Sequence, residues 1–486
     1  MLIWLLYYLY FAFQIILLFY ALIEFSLMIR FLSRKPKSKP ELPETLPNVL
    51  IQLPVYNEQY VIGRLIDACI AMDYPKEKMV IQILDDSNDE TLEVVAEKVK
   101  KYEAKGFQIE QVLREERTGF KAGALAYGMK LNDAPFIAIF DADFIPDPQF
   151  LKQTLPYFYQ DEKVGVVQTR WTHINEKLSL LTRIQAVFLN THFTVEQSGR
   201  NQAGAYINFN GTAGIWRRTC IEDGGGWQAD TLTEDLDLSF RAQMKGWRFE
   251  YLIDVCSPAE LPTSLPAFKV QQYRWSKGAA ECSRKNLKAL FKTKSLSFPS
   301  KIIGAFHLLN SSAYLLILSF ILLSLPMAYF FHHFGKEADP LGLLNYTYAT
   351  SILLFFVFLF GNLKASDNKL LTIITFPVLF PLFLMTSMGI SLYLMIGVVE
   401  GYAGKRSDFV RTPKFNVTNK EKAWKNKKYA AVPITPIFLL ECLLLVYCFV
   451  SLWYTYSVMN IPLLTYEILF TTGLIANIVS HVIHRR

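Results

Sequence analysis

The sequence predicts one α/β domain, with a mostly parallel, doubly wound sheet, set between helices that cross a membrane. Three observations carry that reading. Leu2–Met28 is almost uncharged, Asn48 to roughly Lys294 has the mixed composition of a soluble domain, and most of Ile302–Ile483 is apolar again. Within the middle region, short apolar runs alternate with amphipathic ones, which is the order of βα units. Finally, Asn57-Glu58, Asp85-Asp86 and Asp141–Asp143 each follow a strand-like or helix-flanking apolar run, where a parallel sheet presents its ligand-binding edge.

The composition agrees. The 486 residues are 52% hydrophobic and 19% charged, with a mean hydropathy of +0.21. That is too apolar for an ordinary soluble chain and too charged for a bare membrane bundle.

The first element, Leu2–Met28, is long enough for a hydrocarbon layer of about 30 Å. Arg30, Arg34, Lys35, Lys37 and Lys39 follow it at once, which puts that end in the cytoplasm and the N-terminus outside. A cleaved signal peptide fits poorly, because no basic segment precedes the run and no small-residue cleavage site follows it. Residues 1–33 are thus a membrane helix with a basic flank.

Residues 48–265 form the cytoplasmic domain. Val49–Pro54 and Met79–Leu84 read as strands with the helix-like Glu58–Met72 between them. Thr91–Tyr102 reads as helix, Gln108–Leu113 as strand, Lys121–Met129 as helix and Phe136–Phe140 as strand. Residues 266–300, with Gln271-Gln272-Tyr273-Arg274-Trp275, read as interfacial helices.

Residues 301–486 form the membrane region. Ile302–Phe331 with Leu341–Phe360, and Ile437–Tyr456 with Ile461–Ile483, read as two out-and-back helix pairs. Between them Leu370–Val399 is broken by Pro377 and Pro381. If it crossed, Lys405–Lys428 would lie outside with nine Lys/Arg against Asp408 and Glu421, contrary to the positive-inside rule. A re-entrant or interfacial segment satisfies the charges, giving five spans. That basic run accounts for the whole net charge of +7; with apolar spans on both sides it anchors to the bilayer rather than to nucleic acid. The six cysteines show no metal or close-pair spacing and read as reduced packing residues.

Four polar clusters carry chemistry. Asp141 and Asp143 flank one residue at a strand end, two hard oxygen ligands that suit Mg²⁺ or Mn²⁺ on a diphosphate. Alone, an Asp-x-Asp is more often a solvated turn; the flanking apolar Phe136–Phe140 and Phe144-Ile145-Pro146 favour a site. Thr233-Glu234-Asp235-Leu236-Asp237 opens an amphipathic helix that Thr233 would cap, with Gly224-Gly225-Gly226-Trp227 just before it. One of its carboxylates suits a general base in an inverting sugar transfer; Asp235 leads, with Glu234 and Asp237 left open. Arg274 suits a diphosphate and Trp275 the C–H face of a sugar; an interfacial Trp and Arg belt is compatible with the same pair.

The stretches Gln52–Glu58, Gln82–Ser87, Gly119–Leu125, Ile139–Phe144, His192–Gln197, Phe209–Trp216, Glu234–Leu238, Glu260–Pro262 and Gln271–Trp275 together resemble a family 2 glycosyltransferase. The similarity is to the cellulose-synthase-like synthases of mannan, glucomannan and xyloglucan backbones. It covers essentially the whole middle region. The resemblance implies a GT-A fold, inversion and a β-linked, β-1,4 product made from GDP-mannose or UDP-glucose and threaded across a lipid bilayer. It implies donor binding for Tyr56, Glu58, Asp86, Lys121, Asp141, Gln271 and Arg274, and a divalent cation on Asp141 and Asp143. It further implies a base at Asp235, and an acceptor site at Trp275 and along a strand Phe209–Thr212 that includes Asn210 and Gly211. Processive relatives carry a mobile Phe-x-Val-Thr-x-Lys loop over the nucleotide. Residues 401–431 resemble it through Phe409, Thr412 and Lys414, with Arg411 in place of Val. Two other classes stay open: a non-processive enzyme adding one sugar to a lipid, and a transporter or receptor with an inactive domain. The chain is thus expected to be integral to a plasma, inner or Golgi-type membrane, with its catalytic domain in the cytoplasm.

Overall fold

The computed structural model describes residues 1–34, 39–335, 343–407, 412, 414, 416 and 436–483. The middle region is built on one seven-stranded sheet: β1 (Val49–Val55), β2 (Met79–Asp85), β3 (Gln108–Leu113), β4 (Phe136–Ile139), β5 (Val164–His173), β6 (Gly214–Arg217) and β7 (Arg248–Ala259). Their order is β3-β2-β1-β4-β6-β5-β7. β1 to β4 run parallel, β6 is antiparallel to both β4 and β5, and β7 is parallel to β5.

Six strands therefore point one way. The carboxyl ends of β1, β2, β4, β5 and β7, with the start of β6, share a single edge. β1 and β2 are buried almost throughout, as strands covered on both faces must be.

Phe209–Thr212, read above as a strand, is not one. Its backbone N–H groups at Phe209 and Asn210 are taken by side chains, Ser239 Oγ at 2.9 Å and Gln168 Oε1 at 3.0 Å. Gly211 has φ +78° and Ala213 φ +56°. The left-handed turn at Gly211 is open to glycine without strain, and it swings the chain across the sheet edge before β6 begins.

Among the described residues six helical segments are long and apolar enough to cross a membrane: Leu2–Leu32, Phe298–Phe334, Tyr346–Ala365, Lys369–Gly389, Pro436–Ser457 and Ile461–Ile483. The prolines do not break the fourth. Lys369–Gly389 is continuous through Pro377 and Pro381, because an apolar setting makes every remaining intrahelical bond costly to lose. The break falls at Gly389–Ile390. There a Cβ on Gly389 would stand 2.2 Å from the Gly473 backbone, so two glycines let the helices touch.

A further helix, Ser391–Ala403, follows and packs along Leu265–Lys292, with Gly401 against Lys277 and Glu281. Glu400 near its end accepts from the Tyr273 hydroxyl and from Lys277 Nζ at 3.1 Å. The segment that begins beside the domain, where Lys364 meets Asp254 at 3.2 Å, thus ends beside the domain too.

Candidate active site

The sheet edge gathers the acids that the sequence placed at strand ends. Asp141 is held by its own N–H, which donates to Thr212 Oγ1 at 2.8 Å. Lys121, one residue into the helix Phe120–Lys130, reaches Asp141 Oδ1 at 2.5 Å and the Gly211 carbonyl at 2.8 Å. Asp143 Oδ2 pairs with Lys414 Nζ at 2.8 Å, and Lys414 also donates to the Glu260 carbonyl. Arg64 donates to the Asp143 carbonyl at 3.1 Å. Asp86 is clamped by Arg114, whose Nε stands 2.9 Å away. Tyr56 carries the Arg117 guanidinium over its ring at 3.4 Å, while Glu58 lines the same cavity.

Glu234 and Asp235 lie at the first turn of the helix Glu234–Met244 and face the same cavity. A Cβ on Gly211 would stand 3.0 Å from Asp235 Oδ2, so the glycine leaves this carboxylate room beside the segment Phe209–Thr212. Burial is the main force raising the Asp235 carboxyl to about 7; the charge of Glu234 adds to it and Lys121 opposes it. Burial also raises Glu234, against the pull of Lys121 and Arg274.

Asp237 is removed from the choice. It is fully buried and spent on Arg241 at 2.8 Å, Lys285 at 3.0 Å and Asn286 at 2.9 Å. One other sequence expectation fails here. Thr233 makes no side-chain cap; its hydroxyl lies 3.4 Å from Cys282 Sγ, because Leu265–Lys292 packs its Gly278 directly on it. Trp227, in the glycine-rich stretch before this helix, packs edge-on against Trp216 at 5.6 Å in the core.

The helix Leu265–Lys292, capped by Ser264, brings Gln271, Arg274 and Trp275 to the cavity wall. Arg274 lies within electrostatic reach of Glu234, Asp141, Asp235 and Asp143. Trp275 packs in one cluster with Leu189, Phe193, Leu261 and Trp171. Asn210 Oδ1 accepts from Asn208 at 2.7 Å and Gln197 at 3.3 Å, which fixes the segment Phe209–Thr212. Thr412 is buried in the cavity lining; Phe409 lies outside the described residues.

Sequence reasoning missed Arg114, Trp171 and His173. Trp171 and His173 stand two apart on β5, hence on one face, and both line the cavity. The signal available was only the alternation of a strand that was not recognised.

Among the described residues no group of three or more His, Cys, Asp or Glu gathers as a metal site. Asp141 and Asp143 are two hard oxygen donors of the kind that would suit a divalent cation. Each carboxylate already holds an ammonium group, Lys121 or Lys414, where positive charge is called for.

The sheet order and its helices form a GT-A-like fold. Residues 47–278 match the family model described as Glycosyltransferase like family 2. The chain is 41% identical over 303 residues to glucomannan 4-beta-mannosyltransferase 1 of Oryza sativa subsp. japonica, covering 61% of the chain and 58% of that relative. It is 41% identical over 260 residues to glucomannan 4-beta-mannosyltransferase 2 of Arabidopsis thaliana, covering 53% of the chain and 49% of the relative. The chain therefore spans about half the length of the curated relatives it matches. Among solved structures, a mannosyltransferase from Pyrobaculum calidifontis in complex with GDP-Man and Mn2+ superposes with a TM-score of 0.54 at 19% identity, covering 82% of this chain and all of that one. It supports the fold.

Proposed function

We propose that the protein is a processive, inverting hexosyltransferase that extends a β-1,4-linked mannan from GDP-mannose and passes it across the membrane. One observation carries this reading. A cavity of about 580 Å³ runs from Asp141 and Asp235 past Trp275 and on between the membrane helices. Its upper part is lined by neutral polar pairs: Tyr20 to Asn310 at 2.9 Å, Gln14 to Thr347 at 2.7 Å and Ser351 to Tyr466 at 2.6 Å. Neutral hydroxyls and amides at membrane depth suit a polyol, whereas a lipid acceptor would need none of them.

In the reaction, Asp235 takes the proton from the acceptor hydroxyl as that oxygen bonds to C1 of the donor sugar. The C1–O bond to the diphosphate breaks on the opposite face, so the configuration inverts, and the electron pair leaves with the nucleoside diphosphate. Arg274 and Lys121 offset the charge that appears there. Asp141 and Asp143 would hold a divalent cation, which supplies further neutralisation of the diphosphate. Trp275 stacks the acceptor sugar and sets its hydroxyl toward Asp235. Thr412 and Lys414 close over the donor.

The test is a donor screen on enzyme in nanodiscs. GDP-mannose is expected to give a long product that an endo-β-1,4-mannanase degrades. Exclusive use of UDP-glucose would reassign the sugar, and one sugar on a lipid would replace the processive reading. Trp275→Ala is expected to cut elongation more than donor hydrolysis; equal loss of both in a folded protein would remove Trp275 from the acceptor site.

The orientation rests on charge. The contacts of Lys364 with Asp254 and of Glu400 with Lys277 support a Lys369–Ala403 segment that enters and leaves on the domain side. A cysteine at Arg406, an exposed position, is expected to resist an impermeant thiol reagent in intact cells and to react in inverted vesicles. Labelling of intact cells would mean that Lys369–Gly389 crosses.

A further inference from the structure

We propose that Glu24, His307 and Ser311 form a binding position for the product chain on the membrane side of Trp275, taking the hydroxyls of a neutral hexose unit already transferred. The inference rests on the polysaccharide reading and adds to it a site in the wall of the conduit.

The site is organised by the motif His192–Gln197, to which the chemistry of transfer gives no task. His192–Glu196 is a π-helical turn between Leu180–Thr191 and Gln197–Gln202, the kind of insertion that recurs at functional sites. The extra residue lets one turn face two ways. Gln197 turns to the acceptor segment, donating to the Asn208 carbonyl at 3.0 Å. Glu196 turns to the cavity, its Oε2 taking His192 at 2.9 Å and both terminal nitrogens of Arg200 at 3.3 Å. Burial pushes the Glu196 carboxyl up, but His192 and Arg200 outweigh it and hold it down at about 2.

The first membrane helix is pressed against this turn. A Cβ on Gly199 would meet the Leu27 carbonyl at 2.6 Å, and one turn further along Glu24 joins the cavity wall beside Glu196. Glu24 is only 5% exposed, yet its Oε2 has no hydrogen-bond partner. His307 Nδ1 and Ser311 Oγ, from the next wall of the same cavity, also have none.

Three orphaned polar atoms around one stretch of cavity select the ligand. A buried acceptor without a donor is costly, so an acyl chain would leave all three unsatisfied. Arg200 and His192 are already spent on Glu196, so this wall is built for a neutral ligand rather than for a phosphate. Hydroxyl groups donate and accept at once, and a neutral sugar offers several. Phe193, in the same turn as Glu196, shares a packed cluster with Trp275, so this turn connects the wall beside Glu24 to Trp275.

The experiment compares wild-type enzyme with Glu24→Gln, Glu24→Leu and Ser311→Ala in nanodiscs, measuring product length against donor consumed. Loss of a hydrogen bond to bound product speeds its release, so the mean length is expected to fall about five- to tenfold, with donor consumption falling much less. Ser311→Ala removes one hydroxyl without adding bulk and decides the matter if the Glu24 variants fold poorly. Unchanged length in Ser311→Ala and in every folded Glu24 variant would overturn the inference alone. A wild-type enzyme that makes no polymer would overturn the proposed function and this inference with it.

Discussion

Asp235→Asn is expected to bind donor with unchanged affinity and to transfer essentially nothing, a loss on the order of 10²–10⁴ in rate. The change keeps shape and hydrogen-bond capacity but removes the only property that the proposed mechanism asks of the residue. The same role sets the pH dependence. A base works deprotonated, and burial together with the Glu234 charge raises Asp235 to about 7. kcat/KM should therefore fall below neutral pH and level off above it. A profile flat from pH 5 to 8 would contradict Asp235 as the base, and a Glu234→Gln enzyme that is dead while Asp235→Asn remains active would move the base to Glu234. Calorimetry with donor separates loss of binding from loss of chemistry.

How far this site was legible depends on where its parts come from. Asp85-Asp86 and Asp141–Asp143 were readable because β1, β2 and β4 are parallel strands covered on both faces, and parallel strands announce themselves as apolar runs with polar ends. The other half of the sheet gave no such signal. β6 is four residues long, and β5 carries Gln168, Thr169 and Arg170 in its middle. These polar groups are satisfied by partners remote in sequence: Gln168 by the Thr212 and Ala213 carbonyls, Arg170 by the Ile253 carbonyl. Periodicity cannot display a bond formed across forty or eighty residues.

The same limit separated Asp235 from Asp237 only in three dimensions. Both lie on one polar helix start, and what distinguishes them is Lys285 and Asn286 on another helix. Gly224–Trp227 misled for the converse reason. Its glycines serve a tight turn whose carbonyls at Gly224 and Gly226 accept from Arg241, and its tryptophan belongs to the core.

Asp143→Asn carries the second large effect. Asp141 and Asp143 each hold an ammonium group, Lys121 at 2.5 Å and Lys414 at 2.8 Å, so the ligand-free site balances its own charge. Under the proposed function, Asp143 and Asp141 would take up the cation only as Lys414 and Lys121 give up their contacts. Both lysines can then turn to the incoming phosphates. On this account Asp143→Asn weakens cation binding and lowers turnover by at least about 10²-fold, the scale of several kcal/mol of charge stabilisation. Excess EDTA is expected to abolish activity, and Mn²⁺ or Mg²⁺ to restore it. Lys414→Ala should have a different signature, since it removes a competitor for the cation and a partner of the donor at once. Half-saturation by Mn²⁺, followed by electron paramagnetic resonance with GDP present, should fall in Lys414→Ala and rise in Asp143→Asn, while KM for the sugar donor rises in both. Full activity of the wild type in excess EDTA, or Mn²⁺ binding indifferent to Asp143→Asn, would leave the two aspartates as partners of Lys121 and Lys414 only.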